Sequence, residues 1–435
     1  MEQLLLWARG VAEQAEVFQL SSQQTSVHFE ANRLKQVQTK ESTTVALRII
    51  KEGKVGFAAA SGLDKGETLL DMAVETSQFG LPAKIQFPSS KDYPRVTVFD
   101  PRVRELRAEK MIELGEELIA KVRQHASDIL CDVEASKGTS SIHIINSQGG
   151  EASYDKSFFV IGLEGILIQD TDMLFVGDEE ISCHLLGEID VLAGRVIRQL
   201  ELAKSKASVS TKLLPVIFTP HGVASTLLAP IALALNGKTV LEGVSPFKNK
   251  LGEQVFDERI SLWDDATVAY GVGSRPCDDE GVPSQRVSLI GSGGVSNFLY
   301  DLQTAALAGT ESTGNGERAG GGGQIKPAIS SLIIDEGALS FATMVRDMKE
   351  GLVVEHIIGG GQGDVLSGDF SGNVLLGYKV ENGEIVGRVK DTMVSGNVYQ
   401  VLKELIGIGD EARWVNGILR SPCLYCPLIS VAAKA

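Results

Sequence analysis

The chain has 435 residues, 43% of them hydrophobic and only 6% aromatic. This suits two or three folded domains with cores of Val, Ile, Leu and Ala, and excludes a disordered chain. A net charge of −15, from 41 basic and 56 acidic residues without a basic run, argues against direct nucleic-acid binding, which needs clustered Lys and Arg.

Met1 to Trp7 has no basic stretch ahead of its short apolar run, unlike a signal peptide. The longest strongly apolar segment, Leu227 to Leu235, is far too short to span a membrane. Five cysteines form an odd count with no disulfide spacing, which points to reduced thiols. The expectation is a soluble cytoplasmic protein with no membrane contact.

The first unit, 1–95, reads as α+β. A helix is expected over Glu2–Ala15, then strands near Val17–Leu20, Thr25–Glu30 and Arg33–Gln38. Thr43–Ile50 and Val55–Ala60 form a hairpin across the polar turn Lys51-Glu52-Gly53-Lys54. Lys65–Ser77 returns to helical spacing. Pro82, Pro88, Pro94 and Pro101 mark 81–104 as a boundary, because proline resists continuing a helix or a strand.

The second unit, 105–207, reads as antiparallel α+β. Met111, Leu114, Leu118 and Val122 predict a helix over Arg107–Gln124. Strands follow at Ile129–Ser136, Ser140–Asn146, Phe158–Ile168 and Met173–Leu185, with turns at Ser147–Gly150 and Asp170-Thr171. A helix over Asp190–Lys204 closes the unit.

The third unit, 211–435, is larger and β-rich. A strand over Leu213–Thr219 leads into a helix from Pro220 to about Asn236. Helices are also expected near Asn297–Ala308, Phe341–Lys349 and Val398–Ile406. Asn382-Gly383 signals a hairpin between Leu375–Val380 and Ile385–Val389. Twenty-five of the chain's 47 glycines lie between Gly271 and Gly396. Such a concentration implies special backbone angles or close approach of another chain. The richest loops are Asp278–Gly281, Ser312–Arg318 running into Gly320–Gly323, Gly359–Gly361, and Ser367–Asn373.

No complete catalytic motif is present. The six histidines include no His-Glu-x-x-His, and His221 stands alone after Pro220. Cys423-Leu424-Tyr425-Cys426 has the spacing of half a zinc site but no second pair. The glycine run before Gln324 lacks the Lys-Ser/Thr of a P-loop. The Asp278-Asp279-Glu280 cluster suits either a hard cation or a solvated turn. Arg318 suits either a carboxylate clamp or an exposed loop position.

An ordered series of motifs resembles the TldD/PmbA (TldD/TldE) family, also labelled peptidase U62 and modulator of DNA gyrase. The series begins with Asp278-Asp279-Glu280-Gly281, Gly291 and Leu299-Tyr300-Asp301. It continues through Ser312-Thr313-Gly314-Asn315 with Arg318, Lys349–Val354 and Ser367-Gly368-Asp369-Phe370-Ser371. Glu381–Ile385 and Ser395-Gly396-Asn397 complete it. The resemblance covers essentially the whole chain.

It implies metalloprotease work by a two-subunit complex on extended peptides. Asp279, Glu280, Gly281, Asn315, Arg318, Gly368, Asp369, Phe370 and Ser371 would form substrate or interface loops. In the TldD-type subunit a His-Glu-x-x-x-His helix and a downstream cysteine hold the metal, expected to be zinc. Counting back from Leu251-Gly252-Glu253, that helix falls here at Leu228-Ala229-Pro230-Ile231-Ala232-Leu233. The cysteine would fall near Gly407-Ile408-Gly409, away from Cys423 and Cys426. The chain thus resembles the TldE/PmbA subunit, with no cofactor of its own, no catalytic side chain, and a TldD-like chain or a second copy as partner. The alternative is a homodimeric peptide-binding or regulatory module without protease activity.

Overall fold

A computed structural model describes residues 1–62, 65–89, 91–170, 172–186, 189–360 and 363–433. Thr171 of one expected turn and Gly361 of one expected glycine loop lie outside the described residues. The mixed α+β class expected from the sequence holds, with an antiparallel sheet first and a larger β-rich region after it.

The first part contains α1 (Glu2–Arg9), β1 (Gln14–Glu30), β2 (Arg33–Lys51), β3 (Lys54–Ser61), α2 (Gly66–Ser77), α3 (Pro101–Glu105) and α4 (Ala108–His125). It continues with β4 (Leu130–Asn146), β5 (Glu151–Gln169), β6 (Asp172–Ser182) and α5 (Ile189–Leu202). The six strands make one antiparallel sheet in the order β3-β2-β1-β4-β5-β6. Strands on both sides of 81–104 therefore share a single sheet.

Four sequence expectations change here. The first helix stops at Arg9, because Gln14 already pairs with Ile50 of β2. The pairs expected as separate short strands at 17–30, at 33–50 and at 129–146 are each one long strand. The polar middles that suggested breaks are bridged by cross-strand hydroxyl pairs, Ser21–Thr43 at 3.1 Å, Ser22–Ser42 at 2.8 Å and Thr25–Thr39 at 3.0 Å.

The second part opens with β7 (Lys206–Ala207), β8 (Lys212–Phe218), α6 (Pro220–Thr226), α7 (Leu228–Ala234) and α8 (Gly237–Leu241). Next are β9 (Leu262–Asp265), β10 (Arg286–Gly291), β11 (Gly294–Val295), α9 (Leu302–Ala308), β12 (Gly316–Arg318), β13 (Ile325–Pro327) and β14 (Leu332–Ile334). It ends with α10 (Phe341–Asp347), β15 (Glu350–Ile358), β16 (Asp369–Glu381), β17 (Glu384–Val389), β18 (Thr392–Asn397), α11 (Val398–Val401), β19 (Gly407–Val415) and β20 (Leu419–Ala433). β20 is central to its sheet, pairing with β8, β14, β18 and β19. The hairpin at Asn382-Gly383 forms as expected, with Glu381 opposite Glu384.

The helix expected from Pro220 to Asn236 is broken at Leu227. Pro230 has no N–H to give the Thr226 carbonyl, so one continuous helix cannot form through it. The helix expected from Asn297 begins only at Leu302, where Asp301 and Thr304 make a capping box.

Helices α4 and α5 bridge the two sheets. Met111, Leu118 and Val122 of α4 and Leu192 and Val196 of α5 share one core with β4 and β5, and also with Ile217, Tyr378 and Tyr425 of the second sheet. Each such fully buried apolar side chain stabilises the fold by roughly 1.5–3 kcal/mol. A separate core packs α6 and α7 on the second sheet.

Candidate functional site

The Asp278–Gly281 loop folds inward. Glu280 and Asp278 have no exposed surface, and Asn315 and Arg318 are 1% and 2% exposed. Their partners come from both parts of the chain. Arg48 of β2 places one guanidinium nitrogen 2.6 Å from Glu280 Oε1 and the other 3.0 Å from Glu16 Oε2 of β1. The other Glu16 oxygen accepts from Arg318. The Arg48 guanidinium lies 4.8 Å from the Phe87 ring centroid, and that of Arg318 lies 5.0 Å from Phe18. These faces stabilise charge that has lost its water.

The rest of the loop is held by carboxylate acceptors. Asp278 accepts from the amides of Glu280 and Val282, each at 2.9 Å, and from Gly316 at 2.8 Å. Asp279 accepts from the Arg318 amide at 2.7 Å. Glu280 Oε2 accepts from the Leu302 amide at 2.7 Å, at the start of α9. Gly281 has φ +73°, and its carbonyl accepts from the Tyr93 hydroxyl at 3.3 Å. Asn315 donates to Asp264 Oδ2 at 2.6 Å and to the Ala328 carbonyl at 3.0 Å. Burial pushes the Asp278 and Glu280 carboxyls above the usual range, and Arg48 opposes the shift at Glu280. Arrangements of this kind hold a fold rigid and are costly to break.

The structure thus brings Asp279, Glu280, Gly281, Asn315 and Arg318 together. Gly368–Ser371 bonds elsewhere. Asp369 accepts from Asn397 at 2.8 Å, and Phe370 packs edge-on to Phe218 at 6.1 Å. Ser371 donates to Met393 Sδ at 3.4 Å. Gly368 has φ +85°, and a Cβ there would lie 2.5 Å from the Tyr399 ring.

Sequence reading missed Glu16 and Arg48. The available signal was a charge inside each apolar run, Ala15-Glu16-Val17-Phe18 and Leu47-Arg48-Ile49-Ile50. It also left His221 without a partner. His221 Nε2 lies 3.1 Å from Asp178 Oδ1, and its ring centroid lies 4.6 Å from that of His356. Asp178 further accepts from Arg413 at 2.6 Å and Arg195 at 3.4 Å. Burial disfavours the charged form of Asp178, but His221, Arg413 and Arg195 outweigh it and hold the carboxyl well below its usual range. Burial and the neighbouring His221 push His356 down to about 4. His221 and His356 border a cleft of about 680 Å³.

The residues present do not fit a zinc ion. Helix α7 offers only Leu, Ala, Pro and Ile side chains, and Pro230 and Ile231 point into the core. Cys423 and Cys426 lie on opposite faces of β20, in different cores, so they cannot close on one metal. Among the described residues no group of three His, Cys, Asp or Glu side chains is placed to hold a metal ion. Nor is any described helix long and apolar enough to cross a membrane.

Residues 211–433 match the family model of the PmbA/TldA metallopeptidase C-terminal domain, and 15–77 match that of PmbA/TldA metallopeptidase domain 1. An uncharacterized protein of Methanocaldococcus jannaschii is 28% identical over 97% of each chain. A protein of Methanothermobacter thermautotrophicus named metalloprotease is 26% identical over 92% of this chain and 89% of its own. The crystal structure of TldE from Thermococcus kodakarensis superposes with a TM-score of 0.89 at 22% identity, covering 100% of both chains. That likeness establishes a common fold. With residues 211–433 and 15–77 both matched by the family models, the chain belongs to the PmbA/TldD metallopeptidase family.

Proposed function

We propose that this chain is the non-catalytic, TldE/PmbA-like subunit of a cytoplasmic TldD/TldE-type metallopeptidase that acts on extended or unfolded peptides. The observation that carries the reading is the side-chain set at 228–233. A metallopeptidase centre needs imidazole, thiolate or carboxylate ligands and a carboxylate base. Leu228, Ala229, Ile231, Ala232 and Leu233 are hydrocarbon only, and Pro230 lacks even a backbone donor. Zinc would reside in a TldD-like partner carrying the His-Glu-x-x-x-His helix.

An open sheet edge supports the peptide part of the reading. β3 pairs with Thr44–Lys51 of β2 only, so residues 33–43 of β2 have no described strand beyond them. An extended peptide can join such an edge through backbone hydrogen bonds.

The test is peptide hydrolysis by the purified chain, by a TldD-type partner, and by the two together with zinc. Activity is expected to need the partner and to rise when this chain is added. Zinc-dependent cleavage by this chain alone would sink the non-catalytic reading.

A further inference from the structure

The cleft beside His221 and His356 is lined by Asp132, Glu134, Glu164, Asp178 and Glu179, also by His28, and among the described residues by no Lys or Arg. Asp178 is neutralised by its own partners, and the other four are arranged by strand register on β4, β5 and β6. Glu134 pairs with Gly162, which pairs with Glu179. In the next row on the same face Asp132 pairs with Glu164, which pairs with Gly177. Like charges directly opposite each other destabilise a sheet. Asp132 gains one amide bond, from Ala31 at 2.8 Å. Among the described residues Glu164 and Glu179 gain no side-chain hydrogen bond or ion pair to offset the repulsion. Burial pushes the Glu179 carboxyl up, and Asp178, Glu134 and Glu164 push it further against the effect of His221.

Three more features shape the cleft. A Cβ at Gly162 would stand 3.0 Å from the Glu179 Cβ, so glycine there keeps the space between Glu134 and Glu179 open. Val160, Ile166, Phe175 and Leu375 add apolar wall. His356 borders the same space, largely buried and without a hydrogen-bond partner among the described residues. A neutral imidazole there can accept a hydrogen bond.

We propose that this cleft binds the cationic side chain, Lys or Arg, of an extended peptide. The apolar wall would take the aliphatic stem, and Glu134, Glu164 and Glu179 the charged head. The occupant follows from charge complementarity. Glu134 accepts one bond, from the Ser136 hydroxyl at 2.9 Å, and stands opposite His28, whereas Glu164 and Glu179 have no partner among the described residues. That surplus of carboxylate around a glycine floor favours a cation, and the apolar wall favours one carried on a hydrocarbon stem. The inference rests on the peptide-handling reading above and adds the side-chain class.

The test is fluorescence anisotropy on the full chain with three labelled peptides identical except for Lys, Gln or Glu at alternate positions. The Lys peptide is expected to bind at least about tenfold more tightly than the Gln peptide, a preference that shrinks as salt is added. The double variant E164Q/E179Q is expected to bind the Lys peptide no better than the Gln peptide. E164Q/E179Q is also expected to keep or raise the urea midpoint, since it removes the like-charge contact of Glu164 with Asp132, which shows that lost binding is not lost folding. Equal binding of the Lys and Gln peptides would overturn the inference while leaving peptide handling intact. So would unchanged Lys-peptide affinity in the double variant, or displacement of the Lys peptide by calcium alone at equal concentration. Failure of all three peptides to bind would overturn the peptide-handling reading itself.

Discussion

Arg48 and Glu280 stand 232 positions apart in sequence and form a buried ion pair at 2.6 Å. The pair joins the first sheet to the glycine-rich loops of the C-terminal domain. Glu16 extends it, taking Arg48 on one oxygen and Arg318 on the other. Loops expected at a substrate or interface surface thereby also act as an internal joint between the parts of the chain.

Removing the shared acceptor should loosen this joint. Glu16→Leu leaves two buried arginines short of a counter-charge. Breaking a buried pair from one side typically costs about 3–5 kcal/mol. Equilibrium urea unfolding of the variant is expected to show a loss of that size. A change below about 1 kcal/mol, the range of surface pairs, would show that the network is open to water.

Gly316 sits against the same carboxylates. A Cβ there would lie 2.7 Å from Glu280 Oε2 and 3.0 Å from Asp278 Oδ2. Overpacking of this kind costs roughly 1–3 kcal/mol. Gly316→Ala should lower the thermal midpoint, whereas Gly194→Ala, with nothing within 4 Å of its Cβ, should leave it unchanged or higher.

His356 gives the fold a defined pH response. Its folded pKa is pushed down to about 4 from an ordinary 6.5. The unfolded chain therefore binds this proton more readily between those values. The associated stability is present above pH 6.5 and lost as pH falls towards 4. His221, Asp178 and Arg413 act on the ring and are retained in His356→Phe. That variant is expected to flatten the melting-temperature profile across the window. An unchanged slope would assign it to other groups.

All five cysteines are free, and burial raises every thiol, Cys131 to about 11 and Cys277 and Cys423 to about 12. Only thiolate reacts quickly with disulfide reagents. Labelling of the native chain at mildly alkaline pH is expected to be slow, and labelling in urea rapid. Fast native labelling at Cys423, the half-buried one, would contradict this environment.

Much of the local structure was legible in the sequence. The spacing of Met111, Leu118 and Val122 marked α4, and the polar turns at Glu52-Gly53 and Asn382-Gly383 marked their hairpins. Local sequence misled where hydroxyl side chains pair across strands. Ser21 and Ser22 looked like a break between two strands, yet they lie inside β1 with Thr25, because their partners on β2 are distant in sequence.

The site was legible only as residue types. Sequence marked Glu280, Asn315 and Arg318 and the apolar character of 228–233, since a hydrocarbon side chain cannot ligate a metal in any fold. Whether those polar residues faced water or each other depended on which strands packed over the loops. Only tertiary structure decided that, through Glu16 and Arg48, whose charges are tolerated in apolar strands because the C-terminal domain brings their counter-ions. The same holds for the acidic cleft. Asp132, Glu164 and Glu179 are unremarkable along the chain, and strand register alone sets them on one face, with Asp132 directly opposite Glu164.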